Sequence, residues 1–324
     1  MKRVLEKRYA VLLALLAVSL AVFTSCIFDS QPAQPGYPAV LDATISFSSV
    51  GSPSMCKCMS QSGIALVAAG SNLAVADIEA GQNVQVIDIG VEIDDIADSD
   101  VDGYGYLVAD SLLYRVDLGS PSVGDPVRLG GGCEYVSVSA SAGRAWVARE
   151  DDSLGVVDLQ TLEFSTVKDV TFSDCQGMAC ADNGNLFIAD GGSSLIKALN
   201  TENWTEQGRL SLTGDVIDLF PGPSGYVCAI VEGSNELWFI RSSDCVLYKM
   251  ITFPQTPSAS ACTPVGDYAY ATCAGPGFVI VQENGETVLR TTDYGLPCSI
   301  DLSPDGERAV VCSGDNQAVY ILAK

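Results

Sequence analysis

An all-β chain is predicted by three observations. A glycine returns seven times, at Gly63, Gly103, Gly143, Gly184, Gly225, Gly266 and Gly306, at intervals of 40 or 41 residues. Each interval carries short apolar runs with strand-like alternation, and none carries a helical period. Four short strands per unit of about 40 residues is the repeat of a propeller blade, so residues 44–324 are predicted to fold as a seven-bladed β-propeller.

The segment before the repeats reads differently. Residues 1–8, MKRVLEKR, carry four basic side chains, and Tyr9 to Phe23 run without a charge. That apolar run is shorter than the ~20 residues a spanning helix needs, and small residues follow it, so 1–25 reads as an export signal. Phe23-Thr24-Ser25-Cys26 resembles the lipobox of bacterial lipoproteins, with Phe23 where that family usually has Leu. The resemblance implies cleavage before Cys26, acylation of its thiol and a lipid anchor in the bacterial cell envelope, on the periplasmic or surface side. Several acyl chains hold a membrane more durably than one. Residues 26–43 contain Pro32, Pro35 and Pro38 and few core formers, which makes a semi-extended tether.

Within the repeats each glycine sits in a turn, as in Ser-Gln-Ser-Gly at 60–63 and Ser-Pro-Asp-Gly at 303–306. A strand follows, such as Ala145-Trp146-Val147-Ala148 or Leu186-Phe187-Ile188-Ala189, then a polar loop and a third strand. In the first three blades the third strand ends in an acid and an aliphatic: Asp77-Ile78, Asp117-Leu118 and Asp158-Leu159. The seventh repeat stops at Lys324 after its third strand, while Ala43 to Phe47 have no partner of their own. The N-terminal strand is therefore expected to supply the missing outer strand and close the ring.

The pattern Gly103-Tyr104-Gly105-Tyr106-Leu107-Val108-Ala109-Asp110, with Val116-Asp117-Leu118, resembles the LVIVD and YVTN types of propeller repeat. The resemblance covers about residues 44–324. It implies a surface or periplasmic protein, and relatives of that type include lactonases and lyases; fold analogy does not choose among functions.

Charge narrows the partners. Forty acidic residues stand against 17 basic, a formal charge of −23. A phosphate backbone is repelled, so no nucleic acid is expected, whereas a cation, a basic partner or a neutral ligand is admitted. The chain has no histidine, which removes Ser-His-Asp and Cys-His mechanisms.

Loops expected on one propeller face collect acids: Glu92, Asp94, Asp95, Glu150, Asp151, Asp152, Asp174, Asp190, Glu232, Asp293 and Asp315. They read either as ordinary solvated acids or as a negative funnel for a cationic ligand at the channel mouth. Asp98-Ser99-Asp100-Val101-Asp102-Gly103 has the spacing of a calcium loop and resembles the start of an EF-hand loop, but lacks the closing acid, since Ala109 stands at the twelfth position. In the repeat register the same stretch is the first strand and turn of blade two. Of twelve cysteines, eleven follow Cys26, an odd count; Cys298 and Cys312 flank a turn and could pair across a hairpin. The function expected is a non-enzymatic scaffold binding a protein or small ligand at the propeller face. The alternative is a lyase or lactonase-like hydrolase working through carboxylates and a divalent cation.

Overall fold

The computed structural model describes residues 36–60, 63–99, 103–139, 141–168, 170–273 and 275–324. The lipobox and Cys26 lie outside them, as do Asp100 and Asp102.

Seven antiparallel sheets follow one another along the chain. Their innermost strands are Met55–Cys58, Asp95–Asp98, Cys133–Ser139, Cys175–Cys180, Val216–Pro221, Pro257–Cys262 and Pro297–Leu302, for blades one to seven. Blade five shows the pattern: Val216–Pro221 pairs with Tyr226–Val231, then Glu236–Arg241, then Val246–Thr252 at the rim. In blade two the rim strand is split into Ser122–Val123 and Val127–Arg128.

Blade seven closes as expected. Its strand Ala318–Ala323 pairs on one side with Arg308–Ser313 and on the other with the N-terminal strand Val40–Ser46. That strand begins at Val40, so residues 40–43 belong to the sheet and not to the tether. Ile45 sits opposite Val319, and Phe47 is fully buried between blades seven and one. The closure joins residues 40–46 to the last strand through backbone bonds, which removes one exposed sheet edge.

The repeated glycine has a physical cause. All seven adopt positive φ, from 59° at Gly63 to 87° at Gly225, in the turn between first and second strands. A side chain there meets the left-handed penalty of L-residues. The acid-aliphatic pair is a second local device. Asp77 Oδ1 accepts from the N–H of Glu79 and of Ala80, an Asx turn that leads out of the third strand, and Asp158 does the same for Gln160 and Thr161. The next N–H, of Ile78 or Leu159, donates back to the carbonyl of the repeated glycine, Gly63 or Gly143.

The core lies between blades. Second strands such as Ile64–Ala69 and Asn185–Asp190 are buried along their whole length. Leu66 and Met59 of blade one pack on Leu107 and Ile96 of blade two. Truncating a fully buried leucine such as Leu66 to alanine costs about 2–5 kcal/mol.

Candidate functional site

The seven innermost strands wall a central channel of about 690 Å³. An innermost strand has no strand neighbour on its channel side, so its outward N–H groups need other acceptors. Side chains of the adjacent blade supply them. Asp301 of blade seven accepts from the N–H of Cys58 at 2.8 Å, and Asp95 of blade two from Val136 at 2.8 Å. Ser137 of blade three accepts from Cys180, and Gln176 of blade four from Val216, both at 2.8 Å. Asp98 accepts from the N–H and hydroxyl of Ser60. At the seam of blades five and six the bond is stretched: Asp218 accepts from Ser260 at 3.5 Å.

Charge gathers at the middle of this wall. Lys57 lies 3.6 Å from Asp301, each retaining some exposure to the channel. Burial pulls the Lys57 ammonium down, but Asp301, Asp218 and Asp98 outweigh it and hold the group above the usual lysine range. Burial pushes Asp95 up to about 7, against the N–H bonds from Val136 and Ile96 and the attraction of Lys57. Burial likewise pushes Asp218 up to about 6, with Lys57 opposing. Asp98 is raised for the same first reason. Two carboxyls on the channel wall therefore exchange protons near neutrality. Among the described residues, the buried Asp98 Oδ1 and the Ser260 hydroxyl have no hydrogen-bond partner.

The acids expected at the channel mouth divide into groups. Asp95 turns into the channel, and Asp94 lies beside it with its carboxylate accepting from the N–H of Asp110. Asp94 is raised by burial first, then by repulsion from Glu92 and Asp110. Glu150, Asp152 and Asp174 come close enough, with Asp94, to add to the burial that raises Glu134, so blades two to four carry one acidic arc. Asp174 N–H also donates to Asp152. Three others are taken up locally. Asp151 pairs with Arg149 at 3.2 Å and accepts from Ser153. Asp190 is buried, pairs with Lys197 at 2.5 Å and caps the turn Gly191–Ser193. Asp315 accepts from Leu296, Asn316 and Ser313 in a blade-seven loop. Glu232 and Asp293 are exposed.

For the calcium-like spacing, only Asp98 is described. One of its oxygens is committed to Ser60, and among the described residues no group of three or more Cys, Asp or Glu side chains is arranged to hold a metal. All eleven described cysteines are free. Ser299, not Cys298, lies opposite Cys312, because a bulge between Pro297 and Ser299 shifts the register. The Cys298 thiol donates instead to the Pro53 carbonyl at 3.1 Å.

Sequence reasoning missed Lys57, Asp218, Asp301 and Glu134. A signal existed. Ile217-Asp218-Leu219 and Ile300-Asp301-Leu302 are the same triplet in two innermost strands, and Lys57 is the one basic residue in any of the seven. A charge inside an apolar strand marks a side chain with a special task.

No family model matches the chain, and no curated protein matches it in sequence. Among solved structures it is similar to the β-propeller domain of Cps50 (Swd1) from Myceliophteria thermophila. The TM-score is 0.73 at 10% identity, covering 89% of this chain and 100% of that one. At that identity the likeness establishes the fold alone: an all-β, seven-bladed propeller.

Proposed function

We propose that this propeller is a non-enzymatic binding scaffold whose acid-rich channel takes a small ligand carrying a cationic ammonium group. The observation that carries the reading is the channel wall itself. Asp94, Asp95, Asp98, Asp182, Asp218 and Asp301 line it against Lys57, the single cation among the described residues of the wall, amid the hydroxyls of Ser137, Ser258, Ser260 and Ser299. Lys57 offsets one carboxylate, and the excess negative charge inside low-dielectric walls attracts cations. The rim arc of Glu134, Glu150, Asp152 and Asp174 extends the same field outward. The proposal places the scaffold in the bacterial cell envelope, on the lipid at Cys26. The lipobox resemblance and the LVIVD and YVTN character of the repeats support that location. A basic protein surface is the second kind of partner the face admits, and nucleic acid is disfavoured by the net charge of −23.

Calorimetric titration with spermidine tests the reading. Saturable binding that weakens as salt rises, and at least tenfold in Asp218→Asn, supports it. The absence of heat at low salt and pH 7.5 contradicts it.

One observation favours the enzyme reading as a second possibility. Asp95 at about 7 and Asp218 at about 6 hold protons where a general acid or base needs them. Turnover of a lactone panel, lost in both Asp95→Asn and Asp218→Asn, would shift the assignment to catalysis.

A further inference from the structure

Two thiols meet across the seam of blades five and six. Cys228 lies in Tyr226–Val231 of blade five and is fully buried. Cys262 ends the innermost strand of blade six, is half-buried and lines the channel. Their sulfurs are 3.9 Å apart. Gly222 stands against this pair: a Cβ there would come within 2.6 Å of the Cys228 sulfur, so the glycine keeps the space around that thiol open.

The seam is loose where it meets the channel, while farther out Lys249 of blade five bonds the Gly266 carbonyl and Glu283 of blade six. Its innermost side-chain bond, Asp218 to Ser260, is the long one at 3.5 Å, where five other seams are bonded at 2.8–3.1 Å. The innermost strands of blades five and six are also the least closely apposed of any neighbouring pair. The Ser260 hydroxyl on this seam is left without a partner among the described residues. Disulfide formation needs the sulfurs to close to about 2.05 Å, and a loose seam allows that approach.

A second thiol pair gives the contrast. Cys56 of blade one and Cys312 of blade seven also adjoin across a seam, but both are buried, and the Cys56 thiol already donates to the Val310 carbonyl. Cys312 does not line the channel, and Cys56, which does, is only 4% exposed, whereas Cys262 is half-buried. Cys228 has Cys262 as its thiol partner, and Cys262 faces open space.

We propose that Cys228 and Cys262 form an inter-blade disulfide that clamps the blade five–blade six seam when the chain meets a low-molecular-weight disulfide. The Cys262 thiolate attacks the donor and forms a mixed disulfide, releasing one donor half as a thiol. Cys228 then gives up its proton and attacks the Cys262 sulfur, and the second donor half leaves as a thiol. Two protein thiols are oxidised and one donor disulfide is reduced to two thiols, so atoms and electrons balance. Burial, and then the neighbouring Cys262, hold the Cys228 thiol well above its ordinary range, so the second step speeds up as pH rises. The clamp fixes Asp218 and Ser260 against each other on the channel wall.

The test treats the full chain with oxidised glutathione at pH 8, then maps peptides without reduction and melts the protein with and without dithiothreitol. The expected result is a Cys228–Cys262 linked peptide, an intact mass lower by two hydrogens, and a melting temperature raised by about 3–8 °C that dithiothreitol reverses. Cys262→Ser loses the linked peptide and the rise; the reversal in the unaltered chain stands even should that variant fold poorly. A lasting glutathione adduct on Cys262, a link to any other cysteine, or two unreacted thiols overturns the proposal.

Discussion

Replacing Asp95 by asparagine removes the most displaced carboxyl in the channel while keeping an oxygen that accepts from Val136. Asp95 titrates at about 7 in the fold against an ordinary 3.8. Between those values the folded chain keeps a proton that the unfolded chain has released. The stability this group contributes is therefore full below about pH 4 and is lost as pH rises through about 7. Each tenfold difference in proton affinity between the folded and unfolded chain is worth about 1.36 kcal/mol. The whole effect is then about 4 kcal/mol, of which roughly 2.5 falls between pH 5 and 7.5. Channel water screens the half-buried group, and halving for it leaves about 1.3 kcal/mol. With an unfolding entropy near 0.6 kcal/mol per degree for about 285 ordered residues, that is about 2 °C. Asp218, at about 6, adds a smaller loss of the same sign. The chain has no histidine, so no side chain of ordinary pKa titrates in this window. Melting followed by circular dichroism at pH 5, 6, 7 and 7.5 should show the natural protein losing stability as pH rises. Asp95→Asn should lose about 2 °C less over the same span. Identical slopes in the two proteins, or a natural protein that gains stability toward pH 7.5, would show that Asp95 does not hold its proton in the fold.

Other outcomes follow from the same structure. A Cβ at Gly105 would lie 2.5 Å from Leu66 Cδ1 and 3.2 Å from Met59 Sδ across the blade one–blade two seam; Gly105→Ala should cost about 1–3 kcal/mol, read as a lower denaturant midpoint. Deleting Val40–Phe47 strips the outer strand from blade seven and uncovers its edge. That variant should aggregate or melt well below the full chain, as measured by light scattering and calorimetry. Calcium should bind weakly or not at all at the 98–102 loop, because one Asp98 oxygen already accepts from Ser60. Saturable heat on calcium titration, lost in Asp100→Ala, would restore that loop as a metal site.

The fold was legible because its devices are local and repeated. A left-handed turn needs glycine, an Asx turn needs aspartate at the end of a strand, and both recur with the blade. Closure was legible because Ala43–Phe47 lacked a partner and the last repeat lacked a strand. The start of that strand was misplaced by three residues, from Val40 to Ala43, since Val40 and Leu41 are exposed and Asp42 is polar, leaving no apolar alternation to read. The site was less legible. A strand pattern reports which residues face the core, whereas Lys57, Asp218 and Asp301 meet only when the ring closes. Acids in loops are visible in sequence, but their consumption is not: Arg149, Lys197 and the backbone of residues 296 and 316 occupy Asp151, Asp190 and Asp315. The thiol pair at 228 and 262 was hidden for a related reason, being 34 residues apart on two blades.

Whether ionised channel carboxylates bind a cationic group is decided by titrating spermidine at pH 7.5 and at pH 5 in buffers of equal ionic strength. Asp95 and Asp218 are both largely protonated at the lower pH. Binding should be saturable at pH 7.5 and weaken at least tenfold at pH 5, with the difference abolished in the Asp95→Asn, Asp218→Asn double variant. Equal affinity at the two pH values, or binding that strengthens on acidification, would rule out these carboxylates as the binding groups.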